Sequence, residues 1–525
     1  VKGGAAAPTG DQLMRTTLTA GRPAAAAALL LTVAMPALAA DSLSDSVEQF
    51  LTNSQNKIDE TKLWKFRVKP SLRESVIFTD NVFQNAAHEN PVTLTRVYGP
   101  GATVITDPAQ LAQIAKTVPD LANTGTDGRV NDFIFQSDAN VRLVLPVNED
   151  YSKAFSGLKE MTILGVEAKN QKYASNSSLD NTSLYLNSNL FGFLSDILNA
   201  QWGHNFWIHA KDTYSHITDP LDASLRSLSS GGLTTNQQLN DFGRKENTVN
   251  LDAGWNGPKV YATAGAENYF LHLDDHNLDQ ASHTRNEFHG EVGSLVPGWE
   301  RQKAYVRYEY AMYRFDAAPV VSTTTGQIND EQILNDAVTQ EGWVGVTGPM
   351  ISDKTLFTLE GGYGAWDPRG GGITADNSHF HNLMTHFQMA YRPVDEESTT
   401  YQFDYHDEIG YSAISNYNSS HIGQFTITHE AIPKRLDLRF SVALSTITPS
   451  DGPHRKLLET GIGATYHLYK QLDLIARYAF LHQTAHHEIV TSSAFEQGGR
   501  VYQYTLASDS SFYQNVVEVG LELHF

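Results

Sequence analysis

Val517-Glu518-Val519-Gly520-Leu521-Glu522-Leu523-His524-Phe525 has an apolar side chain at every odd position. The even positions hold Glu518, Gly520, Glu522 and His524. Successive side chains of a strand point to opposite faces. The stretch therefore predicts a strand that is apolar on one side and polar on the other. The pattern returns along the chain. Phe133, Phe135, Ala139, Val141, Leu143 and Leu145 share one parity, against Gln136, Asp138, Asn140 and Arg142. Leu436, Leu438, Phe440, Val442 and Leu444 oppose Asp437, Arg439 and Ser441. Leu472, Leu474, Ala476, Tyr478 and Phe480 oppose Asp473 and Arg477. Segments near 66–78, 164–168, 182–190, 204–213, 247–255, 259–270, 286–296, 303–313, 341–347, 355–363, 380–391, 400–406, 422–429 and 458–468 behave alike. Each segment alone is a weak signal, and their repetition predicts about 18 strands.

The connections alternate in length. Asn256-Gly257-Pro258-Lys259, Pro297-Gly298-Trp299-Glu300, Arg392-Pro393-Val394-Asp395, Ile432-Pro433-Lys434 and Tyr469-Lys470-Gln471 are short and carry turn chemistry or charge. Longer polar loops fall at 81–129, 214–246, 314–340, 407–420, 447–456 and 484–510. Short turns at one end and long loops at the other are the plan of an antiparallel, up-and-down outer-membrane β-barrel. The short turns would be periplasmic and the long loops extracellular. A soluble sandwich also alternates, but one of this size needs linkers, and none is present. A β-propeller needs a repeat of roughly 40–50 residues, which is also absent. The fold expectation is an all-β transmembrane barrel over 66–525 in the outer membrane of a Gram-negative bacterium. Phe525 would then be the assembly signal read by the barrel-assembly machinery.

Composition bounds the alternatives. Arg15 and Arg22 precede an apolar run, Ala24 to Ala34, and Met35-Pro36-Ala37-Leu38-Ala39-Ala40 supplies an A-x-A site. Residues 14–40 thus read as a signal peptide cleaved after Ala39 or Ala40, and 1–13 as an extension of the gene start. Val47, Phe50, Leu51 and Ile58 recur at helical spacing, so 41–65 reads as a periplasmic N-terminal segment, either a short helix or a disordered lead-in. No run after the signal peptide approaches the roughly 20 apolar residues of a helical span. Mean hydropathy is −0.34, as a barrel permits when only alternate residues meet lipid. The chain has no cysteine, which excludes disulfides and thiolate metal sites. A formal net charge of −21 argues against nucleic acid as a partner. The 23 Tyr and 24 Phe are enough to furnish interfacial girdles.

Phe66-Arg67-Val68-Lys69-Pro70-Ser71-Leu72-Arg73-Glu74-Ser75-Val76-Ile77-Phe78-Thr79-Asp80-Asn81-Val82-Phe83 resembles the opening strand of the outer-membrane β-barrel porins of the second type. Those begin with a Pro-Ser-Leu strand and a closing Asp-Asn-x-Phe, and some are encoded beside exopolysaccharide-secretion genes. The resemblance is specific at this strand and loose over 66–525. It implies a fold and a location, and a polysaccharide as one partner. The loop 81–129 has no counterpart in it.

The polar parity supplies pore-lining candidates: Arg73, Arg142, Glu167, Lys169, Glu291, Arg307, Glu309, Asp404, Arg439 and Arg477. A water-filled lumen solvates charges that lipid rejects at about 2–4 kcal/mol for Arg or Lys near the midplane. Over all inward-parity positions, with Asp138, Asp252, Glu267, Glu360, Asp437, Glu459, Asp473, Glu518 and Glu522 added to the acids and Arg67, Lys69 and Lys211 to the bases, acidic residues outnumber basic ones, which favours cations. About 18 strands enclose an aqueous channel, whereas about 8 are filled by side chains. Loop 81–129 is the expected constriction, with a short helix at Leu111, Ile114 and Ala115.

Enzymatic motifs are missing: there is no G-x-S-x-G and no H-E-x-x-H. His379-x-His381 and His486-His487 are the nearest approaches to metal-ligand pairs, and solvated loop histidines account for them. No metal, cofactor or catalytic residue is assigned. Trp202, Trp207, Trp255, Trp299, Trp343 and Trp366 are expected to anchor the girdles. The function expected is passive passage of ions and small hydrophilic solutes. The alternatives are polysaccharide export and a non-conducting structural or adhesive barrel. Outer-membrane lipid is the partner this reading requires, and it leaves a homo-oligomer open.

Overall fold

A computed structural model describes residues 67–80, 92–99, 103–115, 131–146, 160–175, 177–189, 206–217, 243–274, 282–321, 328–349, 354–373, 377–393, 398–412, 415–450, 454–485, 489–497, 500–508 and 511–525. The expectations for 1–13, 14–40 and 41–65 lie outside the described residues, as does Trp202. In chain order the strands are β1 (Arg67–Thr79), β2 (Val92–Gly99), β3 (Thr103–Ile105), β4 (Asp132–Pro146), β5 (Glu160–Tyr173), β6 (Asn181–Asn189), β7 (Phe206–Ile217), β8 (Arg244–Asn256), β9 (Val260–Leu273), β10 (His283–Val296), β11 (Trp299–Phe315), β12 (Ala317–Val321), β13 (Ile328–Gln332), β14 (Asp336–Pro349), β15 (Thr355–Gly370), β16 (Phe380–Tyr391), β17 (Thr399–Gly410), β18 (Asn418–Ile432), β19 (Leu436–Pro449), β20 (Arg455–Tyr469), β21 (Leu472–Ala485), β22 (Ile489–Gln497), β23 (Arg500–Ser508) and β24 (Phe512–His524).

Eighteen of these, β1, β4 to β11, β14 to β21 and β24, form one sheet. Each pairs antiparallel with its neighbour in sequence within that set, and β1 pairs with β4 on one side and β24 on the other. The sheet therefore closes. In the closing seam Ser71 lies opposite His524 and Thr79 opposite Val516. This is the up-and-down barrel that the alternation predicts, with no unpaired edge left in the wall.

Burial follows parity, and this fixes inside and outside. On β24, Val517, Val519 and Leu521 are 41%, 50% and 39% exposed, while Glu518 is fully buried. Leu383 at 76%, Val344 at 64% and Leu444 at 60% belong to the same outer belt. An apolar exterior with charge on the inner parity suits a wall between lipid and water.

The tight connections sit at one end. Gly298 (φ 82°) and Lys434 (φ 61°) take left-handed conformations in the β10–β11 and β18–β19 turns. At the opposite, loop-bearing end the interior is apolar. Leu271, Leu273, Tyr313, Phe315, Trp366 and Met384 form part of one buried cluster. Ile77, Ile134, Tyr173, Leu481, Phe512 and Val516 form part of another.

Within three of the long loops the described residues form further elements. A hairpin, β12–β13, lies within 314–340, and β22–β23 within 484–510 pairs with β2–β3 to make a four-stranded sheet. A helix, α1 (Pro108–Ala115), contains Leu111, Ile114 and Ala115, as their spacing predicts.

Candidate functional site

The inner face divides into two walls. The first runs over β8 to β17 and carries carboxylates backed by histidine and arginine. Asp252 lies opposite Gly265, which lies opposite His289. His289 Nε2 is 2.7 Å from Asp252 Oδ1 and His209 Nδ1 is 3.5 Å from Asp252 Oδ2. The contact passes over Gly265, where a Cβ would come within 2.0 Å of Asp252 Oδ1. Only glycine leaves room for strands two apart to bond along the wall. Gly345 does the same between Tyr305 and Glu360.

Arg285 pairs with Glu267 and lies 3.5 Å from Glu287. The Tyr261 hydroxyl donates to Glu291 at 2.5 Å. Arg307 lies 3.1 Å from Glu309 and 3.5 Å from Glu360, with its guanidinium 5.5 Å from the centre of the Trp343 ring. That stacking adds a cation–π attraction. The chain of contacts continues through His386, 2.5 Å from Glu360 and 3.5 Å from Asp404, to His406, 2.6 Å from Asp404.

The second wall runs over β19 to β21, β24, β1, β4 and β5 and is organised around arginine. Arg73 pairs with Glu518, and Arg477 Nη1 is 3.7 Å from the same carboxylate. Glu518 has no exposed surface and so is held between two guanidiniums. Arg439 and Arg477 flank Gly463 and line a recess of about 210 Å³ with Thr428, Asp437 and Ser441. Arg142 lies opposite Lys69 across the β1–β4 pair, and Lys169 opposite Asp138 across β4–β5. Glu167 accepts a hydrogen bond from Asn140 at 3.4 Å.

At the loop-bearing end a short segment enters the interior. Tyr411, just beyond β17, packs its ring 4.1 Å from that of His283 on β10. It shares a hydrogen bond with Tyr269 on β9. β10 and β17 are five positions apart in the wall, so Tyr411 reaches inward to meet them. Burial holds its hydroxyl well above the ordinary phenol pKa, hence neutral. Tyr417, at the other end of the segment, packs against Trp366 and Phe380 at 6.2 and 5.6 Å. Ser412, Ser415 and Asn416 are all buried. The described residues of this strap, 411–412 and 415–417, thus pack on inward side chains at the loop-bearing end.

Sequence reasoning placed the constriction in 81–129. The described parts of that loop pair within the four-stranded sheet, where β2 meets β23. Residues 81–91, 100–102 and 116–130 lie outside the described residues.

The sequence candidates all fall on the inner parity. Glu291, Arg307, Glu309 and Asp404 lie on the first wall. Arg73, Arg142, Glu167, Lys169, Arg439 and Arg477 lie on the second. The tryptophans need correction. Trp255 is 36% exposed near the turn end of β8, as a girdle residue should be. Trp343 and Trp366 are buried inside, at 4% and 0% exposure. Trp343 shares parity with Glu341, to which its indole N–H donates at 3.1 Å. Trp207 leans over Gly254 on the same inner parity. Phe525 follows β24, and its backbone N–H donates to the Pro70 carbonyl at 3.0 Å across the seam.

Closure, the apolar exterior and the charged interior define the class: the chain has the fold of an outer-membrane β-barrel protein of the Gram-negative type. No family profile matches it, and no curated protein does. Solved structures similar to it include OccK2 (OpdF) of Pseudomonas aeruginosa, at 8% identity and TM-score 0.38 over 87% of this chain and 98% of that one. The siderophore receptor PirA of Pseudomonas aeruginosa matches at 9% identity and TM-score 0.35 over 87% and 80%. The outer-membrane-expressed OmpT of Vibrio cholerae matches at 10% identity and TM-score 0.28 over 88% and 99%.

Proposed function

We propose that the protein is a porin-like channel that passes ions and small hydrophilic solutes down their gradients. The observation that carries this reading is a closed barrel of eighteen strands whose inner face is lined on both walls by ionisable side chains and whose outer face is apolar. Eighteen strands leave an aqueous interior between those walls, and the strap at Tyr411 sets the width of the mouth. Carboxylates on the first wall attract cations, and the arginines supply a counter-surface for anionic groups.

A second reading, export of a polysaccharide, draws on the resemblance at 66–83.

Single-channel recording of purified protein in a planar bilayer tests the first reading. Ohmic steps with a modest cation preference are expected, and Tyr411→Ala should enlarge the steps. That substitution removes packing worth about 3–5 kcal/mol for a buried aromatic side chain. A correctly folded barrel that stays silent in both forms overturns the channel.

A further inference from the structure

We propose that Asp367, His379 and His381 form a binding site for one divalent transition-metal ion of the zinc class, on the outside of the barrel at its loop-bearing rim. The site follows from strand register. Trp366 lies opposite Phe380 and Ala365 opposite His381. Continuing that antiparallel pairing by one residue brings Asp367, near the end of β15, beside His379, just before β16. His379 and His381 are two residues apart on an extended chain, so both side chains project to the same face. That face is the outer one: Tyr363 and Leu383, on the same parities, are 50% and 76% exposed.

The donor atoms converge. His379 Nδ1 is 2.9 Å and His381 Nε2 3.3 Å from the same oxygen, Oδ1 of Asp367. One ligand atom from each of the three lies within 4.8 Å of the others. Four-coordinate zinc holds nitrogen and oxygen at about 2.0–2.2 Å, which sets donors about 3.3 Å apart at the corners of a tetrahedron. The two separations to Asp367, 2.9 and 3.3 Å, lie near that edge, so an ion can enter with side-chain movement alone.

The supports are fixed. The two imidazoles are near parallel, 11° apart with centres at 6.0 Å, and Tyr363 stacks on His381 at 6.4 Å. The Tyr417 hydroxyl donates to the His379 carbonyl at 3.4 Å, tying this backbone to the strap. Two imidazoles and one carboxylate suit zinc, copper or nickel better than magnesium or calcium. Three protein ligands also leave a fourth position for water or an external donor. The rings are half exposed, at 55% and 47%, so an ion reaches them from outside the cell without crossing the barrel.

The test uses the full chain without a polyhistidine tag, stripped with chelator and titrated in detergent with zinc chloride and, separately, magnesium chloride. One zinc per chain is expected, with no saturable binding of magnesium. His379→Ala, His381→Ala and Asp367→Asn should each weaken zinc at least about tenfold, the smallest loss seen when even supporting partners of metal ligands are changed. His421→Ala, which alters an outward histidine away from the cluster, should bind as the unaltered protein does. Heat-modifiable mobility checks that each variant is folded. Cobalt(II) on the unaltered protein gives an answer that depends on no variant. A visible ligand-field band should saturate at one equivalent and disappear on adding zinc. Zinc binding that survives in the His379→Ala/His381→Ala double variant, or the lack of any saturable cobalt band, overturns the proposal.

Discussion

The two inner walls hold their arginines differently. On the first, carboxylates share partners along a chain: Glu360 meets both Arg307 and His386, and Asp404 meets both His386 and His406. Such a chain spreads the loss of any one member over several neighbours. On the second wall Asp473 is likewise shared, by His467 and His524, but one fully buried carboxylate, Glu518, serves Arg73 and Arg477 together. Losing it takes the same partner from two guanidiniums at once. The first wall gives Arg307 two carboxylates, whereas Arg73 and Arg477 share Glu518, although both walls are built from the same kind of strand.

The largest effect that would break this contrast is Glu518→Gln. Removing one side of a buried ion pair costs about 3–5 kcal/mol. The variant should lose its heat-modifiable form at a clearly lower temperature, whereas Glu309→Gln on the first wall should shift it little. Equal shifts would mean that the walls do not differ in redundancy.

Selectivity separates the walls next. Glu291→Gln with Glu309→Gln should move the reversal potential under a salt gradient toward anions. Arg439→Gln with Arg477→Gln should move it toward cations. If both pairs shifted it the same way, one wall would not face the conducting path. The smallest effect is screening. The Debye length falls from about 8 Å at physiological salt to about 3 Å at 1 M. The preferences of both double variants should therefore converge on that of the unaltered protein as salt rises.

Much of the barrel was legible because alternation is a property of each strand alone. Val517 to Phe525 announces its two faces without any partner. The inner parity of Arg307 and Asp404 follows from the same rule. What escaped was set by contacts between distant residues. Trp343 was read by its nearness to strand ends, although its parity with Glu341 already pointed inward. Tyr411 sits in a polar loop, and nothing near it names His283 as its target. The histidine pair at 379 and 381 was visible, but Asp367 joins it only through the register of β15 on β16. The hairpin β12–β13 was missed because five-residue strands are too short for alternation to stand out.

The reach of Tyr411 to His283 and Tyr269 has a consequence for the order in which the molecule is made. Its targets lie on β9 and β10, and Tyr411 itself follows β17. The contact needs a sheet that has already curled until those strands face one another across its hollow. Local hairpins close on microsecond scales, whereas contacts between distant parts of a chain wait for the intervening structure. The strap is therefore a late addition to a finished cylinder and no part of the scaffold that builds it.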